Sequence, residues 1–203
     1  MIDIRPFIES PLVKGCGGLW KEATTAAFLT AIGDGTLPEQ AFHRWLVQDY
    51  FFARAATAFQ AIVVAKTPRP DNKPLIAGLA ALDAELDWFE SHISERRLDA
   101  TVPMHPVCRR YVDFLIAAAY AQPFEVLLAI VYGAEVAYLA SWGSLQATGP
   151  YAEFITRWTN EGFVVYVRSL LEPCQRRPHA DAQDFFNETM RHEREFWRMT
   201  WEG

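Results

Sequence analysis

A chain of 203 residues with 51% hydrophobic and 14% aromatic content is long enough to bury a substantial core and too apolar to remain disordered. Its formal net charge of -6 excludes the basic footprint that nucleic acid or an anionic lipid surface requires. The expected partner is a small molecule or a second copy of the chain.

The first residues, MIDIRPFIESPLVKG, carry charges and prolines where a signal peptide needs an apolar core, so no export is expected. Residues 18–32 show helical spacing at Leu19, Ala23, Ala26, Phe28 and Ile32 and stop at Gly33-Asp34-Gly35. Thr36-Leu37-Pro38-Glu39 is the next start signal, with Thr36 as cap, proline in the first turn and Glu39 reaching back. The helix it opens is predicted over 38–66, with an apolar stripe of Trp45, Phe52, Ala56, Phe59 and Val63. Asp49 falls within that stripe. Such an acid is either satisfied at the stripe's edge by an Arg or Tyr, or it faces a pocket that Tyr50 and Phe51 help wall off.

Three prolines make 67–74 a loop. The helix predicted over 75–97 carries Leu75, Leu79, Leu82, Leu86 and Phe89 on one face, and places Glu85 and His92 two turns apart on one side. Those two are possible metal ligands, but the Glu-x-x-His pairs of di-iron bundles are missing, so no metal is expected. After a loop over 98–106, a helix over 107–121 turns Tyr111, Phe114, Leu115 and Ala118 inward.

The run 123–142, PFEVLLAIVYGAEVAYLASW, is almost wholly apolar. It approaches the roughly 20 residues of a bilayer crossing, but Glu135 in its middle makes it a poor lone membrane helix. It reads as the central helix of a soluble domain, with Leu128, Val131, Glu135, Tyr138 and Trp142 on one broad face and small residues at Gly133, Ala134 and Ala137. A helix over 151–172 follows, with Phe154, Trp158, Phe163, Tyr166, Val167 and Leu170 apolar. Next come a basic loop over 173–178 and a last helix from about Asp181 bearing Phe186, Met190, Glu193, Trp197 and Thr200. No repeat or second domain is visible, so one all-α domain over 1–203 is expected. Cys16, Cys108 and Cys174 are odd in number, far apart and without CxxC spacing, which fits reduced thiols in a cytoplasmic protein.

Three helices thus each set one acid on an apolar or aromatic face: Asp49, Glu135 and Glu193. Convergence on one cavity would push at least one carboxyl pKa toward neutrality, giving an acid and a base together. Aromatic walls with carboxylates suit a flat, nitrogen-rich ring. The alternative is that each acid is bonded separately to an arginine.

Ile32-Gly33-Asp34-Gly35-Thr36-Leu37-Pro38, followed by Phe42 and Gln48-Asp49-Tyr50, and the terminal Glu193-Arg194-Glu195-Phe196-Trp197, resemble the TenA/thiaminase II family across most of the chain. The resemblance implies a haem-oxygenase-like helical bundle, a homo-oligomer (tetramer or dimer), that binds the aminopyrimidine half of thiamin. Asp49 matches the aspartate that holds the pyrimidine's ring nitrogen and amino group, and Glu193 the carboxyl-terminal catalytic glutamate. Tyr50, Phe52, Tyr111, Tyr138 and Trp158 are implied to shape the substrate site, with Phe52 and Trp158 standing where many members have tyrosine.

Where classical members carry a nucleophilic cysteine this chain is read as having Tyr132-Gly133, with Glu135 two residues later. That pattern resembles the glutamate-bearing subgroup. It implies hydrolysis of a C–N bond in aminomethyl- or formylaminomethyl-pyrimidine by Glu135 and Glu193, with no cofactor, metal, nucleic acid or membrane partner. The rivals are a non-catalytic pyrimidine-binding or regulatory protein, and an oxidase of the same fold. The oxidase would be metal-dependent through Glu85, His92 and Glu135, or cofactor-free like pyrroloquinoline quinone synthase.

Overall fold

A computed structural model describes residues 3–203, and its regular elements are all helical. Two short helices not foreseen from the sequence come first, α1 (Arg5–Ile8) and α2 (Pro11–Gly15), the second capped by Ser10. The helix predicted over 18–32 is broken into α3 (Gly18–Thr24) and α4 (Ala27–Gly33), with Thr25 and Ala26 extended between them. The Thr24 and Thr25 hydroxyls donate back to the carbonyls of Trp20 (2.8 Å) and Lys21 (2.7 Å), so two β-branched residues end the first helix there.

Gly35, at φ +68, makes the left-handed turn that stops α4. The expected capping box does not form, because Pro38 itself occupies the N-cap of α5 (Glu39–Lys66) and Thr36 lies outside the helix. Next come α6 (Asn72–Glu95), α7 (Pro106–Ala121) and α8 (Phe124–Gly143). The helix predicted over 151–172 is also two, α9 (Ala152–Arg157), preceded by a single 3-10 turn, and α10 (Glu161–Arg176). Asn160 starts α10 afresh by accepting from the Phe163 amide at 3.0 Å, which leaves Trp158 at the end of α9.

Pro173 does not open a loop. The last turn of α10 continues to Arg176 and is tied down where Arg176 and Arg177 clamp the buried Asp71 carboxylate ahead of α6. The chain finishes with α11 (Ala182–Glu202).

Helix α8 is the hub. It packs on α11, α10, α3, α5 and α7, while α5 lies against α6 and α7. Its length and apolarity alone would suit a bilayer, yet most of it is buried inside the bundle. Gly133 lets α11 approach closely: a Cβ there would stand 3.2 Å from Phe186 and 3.3 Å from Thr189. The aromatic residues form one continuous cluster beside the hub, in which Trp45, Trp142 and Trp197 are fully buried.

Candidate active site

A cavity opens beside this aromatic cluster, between α5, α6, α7, α8 and α11, and Trp158 at the end of α9 closes one side. The centre of a water-sized sphere can range over about 80 Å³ inside it. That is several times the roughly 10–15 Å³ one water needs on the same measure.

Asp49, Glu135 and Glu193 all line the cavity, so three helices do bring their acids together. Phe52, Tyr111, Tyr138 and Trp158 line it too. No arginine takes part. Tyr138 donates to Asp49 Oδ2 at 2.5 Å and accepts from Trp45 Nε1 at 3.2 Å, and its ring lies parallel to that of Trp197 with centroids 5.6 Å apart. Tyr111 donates to Glu193 Oε1 at 2.6 Å, and its ring is stacked on His192 at 4.8 Å. Glu135 has no hydrogen-bonding or ionic partner among the described residues, and Asp49 Oδ1 and Glu193 Oε2 are likewise uncommitted.

These contacts set the electrostatics. Burial pushes Glu193 up to about 8, against the lowering effect of the Tyr111 hydrogen bond. Burial, then the Glu85 and Glu193 charges, push Glu135 to about 8. Burial also raises Asp49 well above the carboxylate range, opposed by Tyr138 and reinforced by Glu85 and Glu193. Burial thus makes each of these carboxyls harder to ionise than an exposed one, and each added charge changes the affinity of the others for their protons.

Two sequence expectations are corrected. Tyr50 does not face the cavity; it lies one residue, about 100° of helix, round from Asp49 and donates instead to Glu90 Oε1 at 2.9 Å on the outside of the bundle. Tyr132-Gly133 is not the cavity-facing part of α8 either. Gly133 meets α11, and the Tyr132 hydroxyl donates to Ser10 Oγ at 3.2 Å, so it is Ala134 and Glu135 that look into the site. No cysteine lines the cavity.

Glu85, considered in the sequence only as a metal ligand with His92, is a fourth acid in the wall. Burial raises it to about 7, with Arg157 pulling the other way. His92 is elsewhere. It sits against the Trp88 ring at 4.4 Å, its Nε2 is 3.1 Å from Glu153 Oε1, and its Nδ1 is 2.8 Å from an Arg96 nitrogen. The set Glu85, His92 and Glu135 does not converge, and among the described residues no three His, Cys, Asp or Glu side chains are arranged to hold a metal ion. The sequence signal for Glu85 was its place three residues after Leu82 and four before Phe89, the same stripe logic that found Asp49. Gln60, also in the wall, follows Ala56 by four on the stripe of α5.

Residues 16–203 match the profile of the TENA/THI-4/PQQC family. A probable bifunctional TENA-E protein of Glycine max is 26% identical over 90% of this chain and 88% of its own. The thiamine biosynthesis multifunctional protein ThiED of Corynebacterium glutamicum is 26% identical over 95% of this chain, which spans only 26% of that longer protein. Among solved structures, a TenA homologue from Pyrococcus furiosus is 25% identical, with a TM-score of 0.87 covering 94% of this chain and 98% of that one. A TenA homologue from P. horikoshii OT3 shares the fold at 20% identity, with a TM-score of 0.84 covering 98% and 99%.

Proposed function

Because the chain belongs to the TENA/THI-4/PQQC family, we propose that it is a thiamin-salvage hydrolase that cleaves a C–N bond in aminomethyl- or formylaminomethyl-pyrimidine by carboxylate acid–base chemistry. The observation that carries this reading is the convergence of Asp49, Glu135 and Glu193 on one aromatic-walled cavity that no cysteine lines. The relatives, a probable TENA-E protein and a thiamine biosynthesis protein, support the pyrimidine half of thiamin as the source of the substrate.

Asp49 is the anchor. Tyr138 fixes one of its oxygens, which leaves Oδ1 to meet the amino edge or ring nitrogen of the pyrimidine. Glu193 is the base, since the proton donated by Tyr111 favours its ionised form. Glu135, without a partner to favour ionisation, is the acid. A water gives its proton to Glu193 as its oxygen bonds to carbon; the C–N electron pair leaves with nitrogen, and Glu135 supplies that nitrogen's proton. The amine substrate yields ammonia and the hydroxymethyl-pyrimidine, and the formyl amide yields formate and the amine.

Mass-spectrometric turnover of both pyrimidines and of thiamin tests the reading. Wild type is expected to release ammonia or formate from a pyrimidine and to leave thiamin whole. Glu135→Gln and Glu193→Gln should each lower turnover by about 10²–10⁴-fold. Binding without turnover would favour a pyrimidine carrier, and neither binding nor turnover would overturn the assignment. We further propose a homo-oligomer: Tyr120, Val165 and Ile76 are 74%, 55% and 50% exposed, and light scattering should give a mass of two or four chains.

A further inference from the structure

The cavity wall holds four carboxyl groups and no lysine, arginine or histidine. Two of the four, Asp49 and Glu193, have hydrogen-bond partners that explain their orientation. Glu85 does not. It has no hydrogen-bonding or ionic partner among the described residues, and the proposed reaction leaves it without a role. The nearest base, Arg157, is spread over the Trp88 ring at 4.4 Å from its centroid, outside the wall.

A second group has the same character. Gln60 is only 3% exposed, and its Nε2 donates to the Leu75 carbonyl at 2.9 Å and the Tyr166 hydroxyl at 3.3 Å. The bond to the Leu75 carbonyl, which can only accept, fixes which end of the amide is nitrogen. The Gln60 Oε1 is left without a partner on a side chain that lines the cavity. Gln60 and Glu85 line the same cavity from neighbouring helices, α5 and α6.

We propose that Glu85 is a specificity-determining residue: with the Gln60 carbonyl it offers acceptors that select ring ligands carrying a protonated amino group over neutral and anionic analogues. The inference rests on the cavity being a heterocycle site, and it deepens that reading. An ammonium carries three donors and no acceptor, which suits the Glu85 carboxylate and the Gln60 carbonyl. A cation brought here replaces lost hydration with charge-assisted bonds, and the Glu85 carboxylate, which has no ionic partner, gains a counter-ion. A phosphate or carboxylate would set lone pairs and negative charge against the same atoms, so the set rejects as well as selects.

The test compares two ligand pairs at pH 7.5 by calorimetry: aminomethyl- with hydroxymethyl-aminopyrimidine, and benzylamine with benzyl alcohol. Wild type is expected to favour each amine by about tenfold or more. Glu85→Gln should reduce that preference by about tenfold through weaker amine binding, with the alcohol's Kd unchanged within about threefold, which also shows the variant to be folded. Glu85→Asp, which keeps the charge, should recover part of the preference.

A preference that survives Glu85→Gln, or an equal loss of amine and alcohol binding, overturns the inference while leaving the pyrimidine reading intact. If wild type binds neither pyrimidine but prefers benzylamine and loses that preference in Glu85→Gln, the pyrimidine reading falls and the charge selection stands. No preference for either amine in wild type overturns the selection outright.

Discussion

Tyr138 is the residue on which the polar order of the site turns, because one hydroxyl serves the Asp49 carboxylate and the Trp45 indole together. Tyr138→Phe keeps the ring against Trp197 and removes both bonds. Leaving two buried polar groups unmatched should cost about 1–3 kcal/mol, seen as a fall in Tm of roughly 2–4 °C per kcal/mol in a chain of this size, with weaker pyrimidine binding. Glu135 carries the opposite penalty. Its carboxyl ionises near 4.5 when exposed and near 8 in the fold, so between those values the folded chain holds a proton that the unfolded chain has lost. Stability must therefore fall as pH rises through this window, with the penalty absent below about 4.5 and complete above about 8. Glu135→Gln abolishes it, and thermal melts should show the variant gaining on wild type from pH 5 to pH 8, by roughly 1–3 kcal/mol at the upper end. A gap that does not widen with pH would mean that Glu135 ionises freely in the fold.

At the scale of the elements, Gly78 of α6 makes room for side chains that reach it from α5 and α10. A Cβ there would stand 2.4 Å from the Tyr166 hydroxyl and 2.5 Å from Gln60 Nε2. Gly78→Ala should dislodge the Gln60–Tyr166 pair and destabilise the fold by about 1–3 kcal/mol, despite alanine's better helix propensity. A denaturant melt decides the sign. The long helices were legible because their apolar stripes are long: α5, α7, α8 and α11 lie within a few residues of their predicted bounds. The breaks were not, because each is made by a polar side chain returning to nearby backbone. The Thr24 and Thr25 hydroxyls cut one predicted helix and the Asn160 amide another, and neither disturbs the hydrophobic spacing. Glu85 was legible as a stripe residue and misassigned, because periodicity gives a face and does not say which face looks into a cavity.

For the molecule as a whole, periodicity marked Asp49, Glu135 and Glu193 as acids on apolar faces, and only the packing of five helices could bring them together. Family resemblance strengthened that expectation; Tyr50, read from its place beside Asp49 as part of a pocket wall, is turned outward by the helix rotation. The global frame has an ionic tie to a buried acid, Asp71 held by Arg176 and Arg177, with the acid's side chain 1% exposed. Asp71→Asn should weaken that tie and Asp71→Ala break it. Loss of the acid leaves two half-exposed arginines and the end of α10 without their anchor, and chemical denaturation should show a cost of about 1–3 kcal/mol for the alanine. The placement of α11 also governs how the molecule forms. This helix supplies Glu193 while packing on α3 and α4, and its Arg194 reaches Glu22 across 172 residues of chain. Contacts that distant close late, so refolding should be slower than so helical a protein suggests. After dilution from denaturant, helical dichroism should recover first and ligand binding should lag behind it, since the site is assembled only when the two ends of the chain meet.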